Sequence, residues 1–328
     1  MAGTALVVGG AGFLGTGIVN ELKGAGWKVT SAGRGNKPST DPDVDFVRVD
    51  RAQPGALAAA LAGRTFDLVV DCALYRPAEA EDAVPTFSGK TGHYVFISTD
   101  FVYAPTIEGP FPIKEDAPKE TERPYGTGKV ACEGVLTRAF ESGGFPFSAL
   151  RPPHIMGAGK ELGGGTVEGR DKDLLTHIRE GRDVTLLGEG LLAIQPVWNR
   201  EIGACIAHLA GNERAFGQVF NCTGPDCVTT RRYYAIIAEQ LGVPLRAGSM
   251  AVGEFLTRWP DRAPFARHRI YDLGHLKERT GYVPRFALED AIAETVRWMA
   301  APAPGSPRRR CAARCRWGCG PTCASGTA

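Results

Sequence analysis

The sequence predicts an α/β protein, a doubly wound parallel sheet with a smaller C-terminal substrate-binding subdomain. Two observations carry that prediction. Short, largely apolar segments of the kind buried on both faces alternate with helical segments through the first half of the chain. Residues 4–22, TALVVGGAGFLGTGIVNEL, read as an apolar strand (Ala5 to Val8), a glycine turn and a helix in which Ile18, Val19 and Leu22 recur at helical spacing. At 328 residues there is room for one large domain or for a main domain with a smaller one attached. We expect the first unit at residues 1–156, a second interleaved with it at 157–300, and a tail at 301–328.

The glycine turn has the parts of a phosphate cradle. Gly9 would turn the chain tightly and Gly12 would let a pyrophosphate approach the backbone. Gly15 would let the helix pack closely on the strand, its first N–H groups facing the anion. The spacing from Gly9 is G-x-x-G-x-x-G, one residue longer at the front than the common dinucleotide fingerprint. Its place between strand and helix is what makes it a dinucleotide site.

Lys28 to Ala32 reads as the second strand and runs into Gly33-Arg34-Gly35-Asn36. A site for NAD usually has a carboxylate here to take the ribose 2′-hydroxyl. Arg34 instead suits a 2′-phosphate through its guanidinium fork, which favours NADP and leaves NAD possible. Val44 to Val49 is a third strand ending in Asp50-Arg51, and Ala56 to Leu61 is helical. Asp67 to Ala73 and His93 to Ser98 are the fourth and fifth strands.

The fifth strand leads into Ser98-Thr99-Asp100-Phe101, and Tyr125-Gly126-Thr127-Gly128-Lys129 opens a helix further on. Tyr and Lys four apart share a helical face. An ammonium beside a phenol favours phenolate, so Tyr125 could exchange a proton with an alcohol near neutral pH. Thr99 could hold the substrate oxygen, and Lys129 could also bond the cofactor ribose.

Composition narrows the alternatives. The chain is 43% apolar and 23% charged with a net charge of +2, which gives no general pull toward nucleic acid or acidic membranes. No apolar run approaches a membrane span, and no signal-peptide pattern precedes the first strand, so a cytoplasmic protein is expected. His154, His177 and His208 lack metal-ligand spacing, and no metal site is expected. Four of the nine cysteines, Cys311, Cys315, Cys319 and Cys323, fall in an arginine-, glycine- and proline-rich terminus that reads as a disordered tail rather than a zinc site.

These motifs carry a family resemblance. GGAGFLG, DLVVDCA, YVFISTDFVY, YGTGK and LRPPHIMG, in that order between residue 4 and about residue 299, resemble an extended short-chain dehydrogenase/reductase of the NAD-dependent epimerase/dehydratase group. Gly33-Arg34, Asp50-Arg51 and HYVFISTDFVYA are most similar to the branch that contains chloroplast stem-loop-binding proteins. The resemblance implies a Rossmann-like NAD(P)-binding unit in residues 1–156, with Thr99, Tyr125 and Lys129 as the catalytic set. It implies cofactor contacts from Gly9, Gly12, Phe13, Leu14, Gly15, Arg34, Asp50, Arg51, Cys72, Ala73 and Lys129. Pro152, His154 and Ile155 would lie beside the nicotinamide, and Thr99, Asp100, Phe101 and Tyr125 would meet the substrate. It is also compatible with a homodimer.

Two departures from the family pattern matter. Members that eliminate water carry Asp-Glu after the threonine, and here Asp100 is followed by Phe101, which cannot accept a proton. Nucleotide-sugar enzymes place an arginine about seven residues before the position of Glu201, where this chain has Ile194. The expected activity is therefore oxidoreduction or epimerisation at a secondary alcohol or ketone of a sugar-like small molecule, with or without a nucleotide. Non-catalytic NADP binding or RNA binding on the same fold is the rival, disfavoured by the complete Thr-Tyr-Lys set and the near-neutral charge. In the second half, Gly157 to Gly169 holds six glycines and reads as a mobile loop. Asp173 to Arg179, Thr229 to Leu241 and Leu288 to Met299 read as helices, and Val184 to Leu187 and Gln218 to Cys222 as strands.

Overall fold

The computed structural model describes residues 2–36 and 41–301; the cysteine-rich terminus lies outside them. In chain order the first half forms β1 (Gly3–Val8), α1 (Phe13–Gly24), β2 (Trp27–Gly33), β3 (Asp45–Arg48), α2 (Ala56–Ala60), β4 (Phe66–Asp71), α3 (Pro77–Phe87), β5 (Thr91–Ile97), α4 (Pro124–Gly143) and β6 (Phe147–Arg151). Then come β7 (Ile155–Met156), α5 (Leu174–Arg179), β8 (Val184–Leu187), β9 (Ala193–Ile194), β10 (Val197–Trp198), α6 (Asn199–Leu209) and β11 (Gln218–Asn221). The remainder is β12 (Val228–Thr229), α7 (Thr230–Leu241), β13 (Ala247–Met250), α8 (Val252–Arg258), α9 (Gly274–Thr280) and α10 (Leu288–Ala300).

Seven strands form one parallel sheet in the order β11-β6-β5-β4-β1-β2-β3. The chain reverses direction across the sheet between β1 and β4, and the crevice at such a switch point is where open α/β sheets bind ligands. Alternation along β1 shows why its apolar run is continuous. Ala5 and Val7 face a core shared with α1 and α6, while Leu6 and Val8 face one shared with α2, α3 and α4. β11 adds a seventh strand from the second half, so the two halves are interleaved in one sheet.

α1 and α6 approach closely because both offer glycine. A Cβ on Gly17 would lie 2.5 Å from Asn199 Cγ, and one on Gly203 would lie 3.0 Å from Ile18 Cα. α5, α7 and α10 enclose a third core with β8, built on Leu174, Ile178, Ile237 and Ile292. α7 is capped by Thr229, whose hydroxyl accepts from Arg232 N at 3.2 Å, and stops at Gly242 with φ of 69°. Among the described residues, no helix is long and apolar enough to cross a membrane, and no cluster of His, Cys, Asp and Glu could hold a metal ion.

Within the stretch from Gly157 to Gly169, read as a mobile loop, the central glycines are packed. Gly163, Gly164, Gly165 and Thr166 are buried. Gly164 N donates to the Tyr234 hydroxyl at 2.9 Å, and a Cβ on Gly165 would lie 2.3 Å from Thr230 Cγ2. These glycines serve close packing against α7.

Candidate active site

The turn between β1 and α1 is built as its spacing demands. Gly9 has φ of 84° and its carbonyl accepts from Gly12 N at 2.9 Å. A Cβ on Gly15 would lie 2.2 Å from Gly9 O, so α1 can seat on the turn only with glycine there. Gly12 stands at the helix N-cap, and the only contact its Cβ would make within 4 Å is with Gly9 O. An open groove of about 640 Å³ runs over this turn. Gly9, Gly12, Phe13, Leu14, Gly15, Arg34, Asp50, Arg51, Cys72 and Ala73 all line it, so ten of the expected cofactor contacts converge on one surface.

At the far end of the groove Arg34 is exposed and, among the described residues, makes neither hydrogen bond nor ion pair. Asp50 is exposed too, its Oδ1 accepting from Ala52 N at 3.1 Å. Arg51 is buried beneath them. Its Nη2 donates to Glu79 O at 3.2 Å and pairs with Asp71 Oδ2 at 3.0 Å, while Nε and Nη1 have no partner among the described residues. Asp71 in turn accepts from the Tyr94 hydroxyl at 2.7 Å and from Ala73 N at 2.9 Å. Arg51 therefore props the groove floor through Asp71. Burial drives the Cys72 thiol up out of reach of ionisation, so its role there is to pack.

Thr99 sits where β5 ends, 7% exposed, its hydroxyl accepting from Phe101 N at 3.3 Å. Tyr125 is in the first turn of α4 and Lys129 one turn on, so the strand end and the helix start bring the three together. Tyr125 is 46% exposed; desolvation pushes its phenol up to about 12, opposed by a hydrogen bond with Thr99. The expectation that Lys129 keeps the phenol acidic is not met here. Lys129 is buried, and its ammonium donates to Leu74 O at 2.7 Å and Ile97 O at 2.9 Å. Burial pulls it down to about 8, with Asp71 opposing. A buried ammonium takes the nearest acceptors, and here they are backbone carbonyls.

Asp100 is also unlike its expected role as a substrate contact. It is 1% exposed, and its Oδ2 accepts from Arg269 Nε at 2.8 Å and from the Tyr271 hydroxyl at 2.6 Å, with Arg267 at 3.8 Å. The carboxylate is fully engaged within the protein. Phe101 packs edge-on against Tyr125 (5.9 Å) and against Phe265 (5.2 Å), which forms an aromatic wall beside the end of β5. Tyr75, missed in the sequence, completes that wall. Its ring lies 6.4 Å from Tyr125 and 4.5 Å from Lys129 Nζ, and it lines the groove. A tyrosine two residues past the expected fourth strand was the available signal.

Pro152, His154 and Ile155 do not line the groove in this structure. Pro152 O accepts from Asp100 N at 3.2 Å, and Ile155 packs on the α1/α6 core. His154 faces a second, smaller cavity, its Nε2 3.3 Å from the Tyr233 hydroxyl. The sequence leaves β6 directly into buried structure, and that turns these residues inward.

Residues 5–222 match the profile of the NAD dependent epimerase/dehydratase family. A 2′-dehydrokanamycin reductase from Streptomyces kanamyceticus is 26% identical over 302 residues, covering 90% of this chain and 84% of that protein. The chloroplast stem-loop binding protein of 41 kDa b from Arabidopsis thaliana is 26% identical over 257 residues, 73% of this chain and 63% of that protein. In fold, a UDP-glucuronic acid 4-epimerase from Bacillus cereus, solved with NAD, superposes with a TM-score of 0.71 over 90% of this chain and 98% of the other, at 17% identity.

Proposed function

The chain belongs to the NAD dependent epimerase/dehydratase family, whose named relatives of this chain include reductases, epimerases and dehydratases, and we propose that it is an NADP-dependent ketoreductase of a sugar-like substrate. The observation that carries the reading is that Tyr75, on the wall of the glycine groove, lies against both Tyr125 (6.4 Å between rings) and Lys129 (Nζ 4.5 Å from its ring), so the groove ends beside the Thr99, Tyr125 and Lys129 set.

The groove fits a dinucleotide. Gly9, Gly12 and Gly15 would cradle the pyrophosphate at the start of α1, and Arg34, with no competing partner among the described residues, would take a 2′-phosphate. Lys129 would offer the nicotinamide ribose the one ammonium N–H that Leu74 O and Ile97 O leave. Bound there, the nicotinamide supplies or accepts a hydride. Thr99 would hydrogen-bond the reacting oxygen. Tyr125, with its phenol at about 12, is protonated at neutral pH and so is set to give its proton to the oxygen of a ketone as the carbonyl carbon is reduced. Oxidation and epimerisation would use the same groups with the proton moving the other way.

Dehydration fits badly. It needs a base after Asp100, where Phe101 stands, and Asp100 itself is held by Arg269 and Tyr271. The relative named 2′-dehydrokanamycin reductase supports reduction at a ring ketone, and Ile194 in place of an arginine supports a substrate without a nucleotide. The test is to denature the purified protein and identify any nucleotide released, then titrate the protein with NADPH. An empty site that binds NADPH supports a reductase that exchanges cofactor each turnover. Tightly retained NAD would point to an epimerase and overturn the reading.

A further inference from the structure

The cavity that His154 faces has about 260 Å³ and lies beyond the aromatic wall. It is bounded by the segment from Gly163 to Arg170 and by Arg262 and Phe265. Packing builds it. A Cβ on Gly164 would lie 3.1 Å from the His154 ring and one on Gly163 2.1 Å from Gly169 O, so the glycine wall can take this shape only without side chains. Tyr233 and Tyr234 of α7, both fully buried, support it from behind.

The charge in this cavity is unbalanced. Arg170 donates to Glu161 O and, at 2.6 Å, to Ile155 O; Arg262 donates to Val167 O at 2.8 Å. Carbonyls satisfy N–H groups without neutralising a guanidinium; the Glu161 carboxylate acts on Arg170 only from beyond ion-pair distance, and among the described residues neither arginine makes an ion pair. Glu168, the one carboxylate on the wall, is exposed. His154 is held neutral, because burial, with Arg170 and Arg269 nearby, drives its pKa far down. Behind the wall a single carboxylate, Asp100, serves both Arg267 and Arg269. An excess of half-buried positive charge around an open volume is what a bound anion would correct. Phe265 connects the cavity to the reacting end, since its ring touches Phe101 and Phe101 touches Tyr125.

We infer that this cavity is an anion subsite in which Arg170 and Arg262 take the carboxylate or phosphate of a single-ring sugar-like substrate whose ring reaches back past Phe265 and Phe101 toward Tyr125. The inference rests on the sugar-type substrate proposed above and makes it more specific. The volume lies below the ~300–1,000 Å³ usual for pockets that enclose drug-sized ligands, which suits the anionic end of a small ligand. A cationic amino sugar would meet like charge from both arginines.

The test is calorimetric titration of the full chain, with and without NADP, using glucuronate, glucose 6-phosphate, glucose and glucosamine. At least one of the anionic sugars should bind tenfold or more tighter than glucose, with glucosamine weakest. The tighter of the two identifies carboxylate or phosphate as the group recognised. Arg262→Gln should lower anionic-sugar affinity about ten- to hundredfold, as loss of a charge-assisted hydrogen bond does, and leave glucose unchanged. Arg170 also braces the wall, so Arg170→Lys, which keeps the charge, should retain more anion affinity than Arg170→Gln. Equal binding of glucose and the anionic sugars, tighter binding of glucosamine, or unchanged anion affinity in Arg262→Gln would overturn the subsite. Failure of the wild-type protein to bind NADPH would instead count against the oxidoreductase reading, because the arm without NADP judges the subsite by itself.

Discussion

Replacing Asp100 by Asn separates a structural role from a chemical one. The substitution keeps the shape and removes the charge. In the native protein Asp100 Oδ2 accepts from Arg269 Nε at 2.8 Å and from the Tyr271 hydroxyl at 2.6 Å, with Arg267 3.8 Å away. The side chains of Asp100 and Arg267 are 1% exposed and that of Arg269 7% exposed, so solvent cannot screen what is left behind. Removing one member of a buried ion pair costs about 3–5 kcal/mol, because the remaining charge has no counterion. In a chain of this size that corresponds to a fall in melting temperature of roughly 5–15 °C. Thermal unfolding by circular dichroism reads the loss, and NADPH titration well below the midpoint should find the groove intact. An unchanged melting temperature together with a large drop in turnover would refute the reasoning, since it would place Asp100 among the reacting groups.

Other expectations follow from neighbouring residues. Arg34→Ala should weaken NADP about ten- to hundredfold and barely change NAD, measured by titrating both dinucleotides into both proteins; equal loss for both would make Arg34 a bystander. Stability should fall as pH drops through 6.5 and level off near 4. His93 is fully buried between Leu209 O and the Ser148 hydroxyl, and burial lowers its folded-state pKa to about 4, so in this window the unfolded chain binds the extra proton. That one group contributes about 3 kcal/mol, an order-of-magnitude figure. Melting temperatures across this range check it, and a stability independent of pH between 4 and 6.5 would contradict it.

The parts of the site written in local spacing were legible in the sequence. A glycine turn between a strand and a helix can be recognised from neighbouring residues, and so can an arginine at the end of β2 or a tyrosine and lysine one turn apart. What depended on distant partners was not. Asp100 is claimed by Arg269, 169 positions away, so nothing near it could show that it is engaged. Lys129 has the expected spacing from Tyr125, yet its direction is set by one carbonyl at the end of β5 and another in the loop after β4. Gly163 to Gly165 show a further limit: composition does not distinguish glycine that permits motion from glycine that permits close packing, and only the opposing Thr230 and His154 decide it. The seventh strand was read as a strand, but its place beside β6 follows from a chain path that periodicity does not contain.

The central claim is that Tyr125 moves the proton while the glycine groove holds the dinucleotide, and Tyr125→Phe tests it most directly. The substitution removes one hydroxyl at the aromatic wall and nothing from the groove floor. Turnover of a ketone substrate with NADPH should fall by ~10²–10⁴, the usual effect of losing a general acid, while NADPH affinity stays within a few-fold of the wild type. Near-normal turnover in Tyr125→Phe would contradict the account.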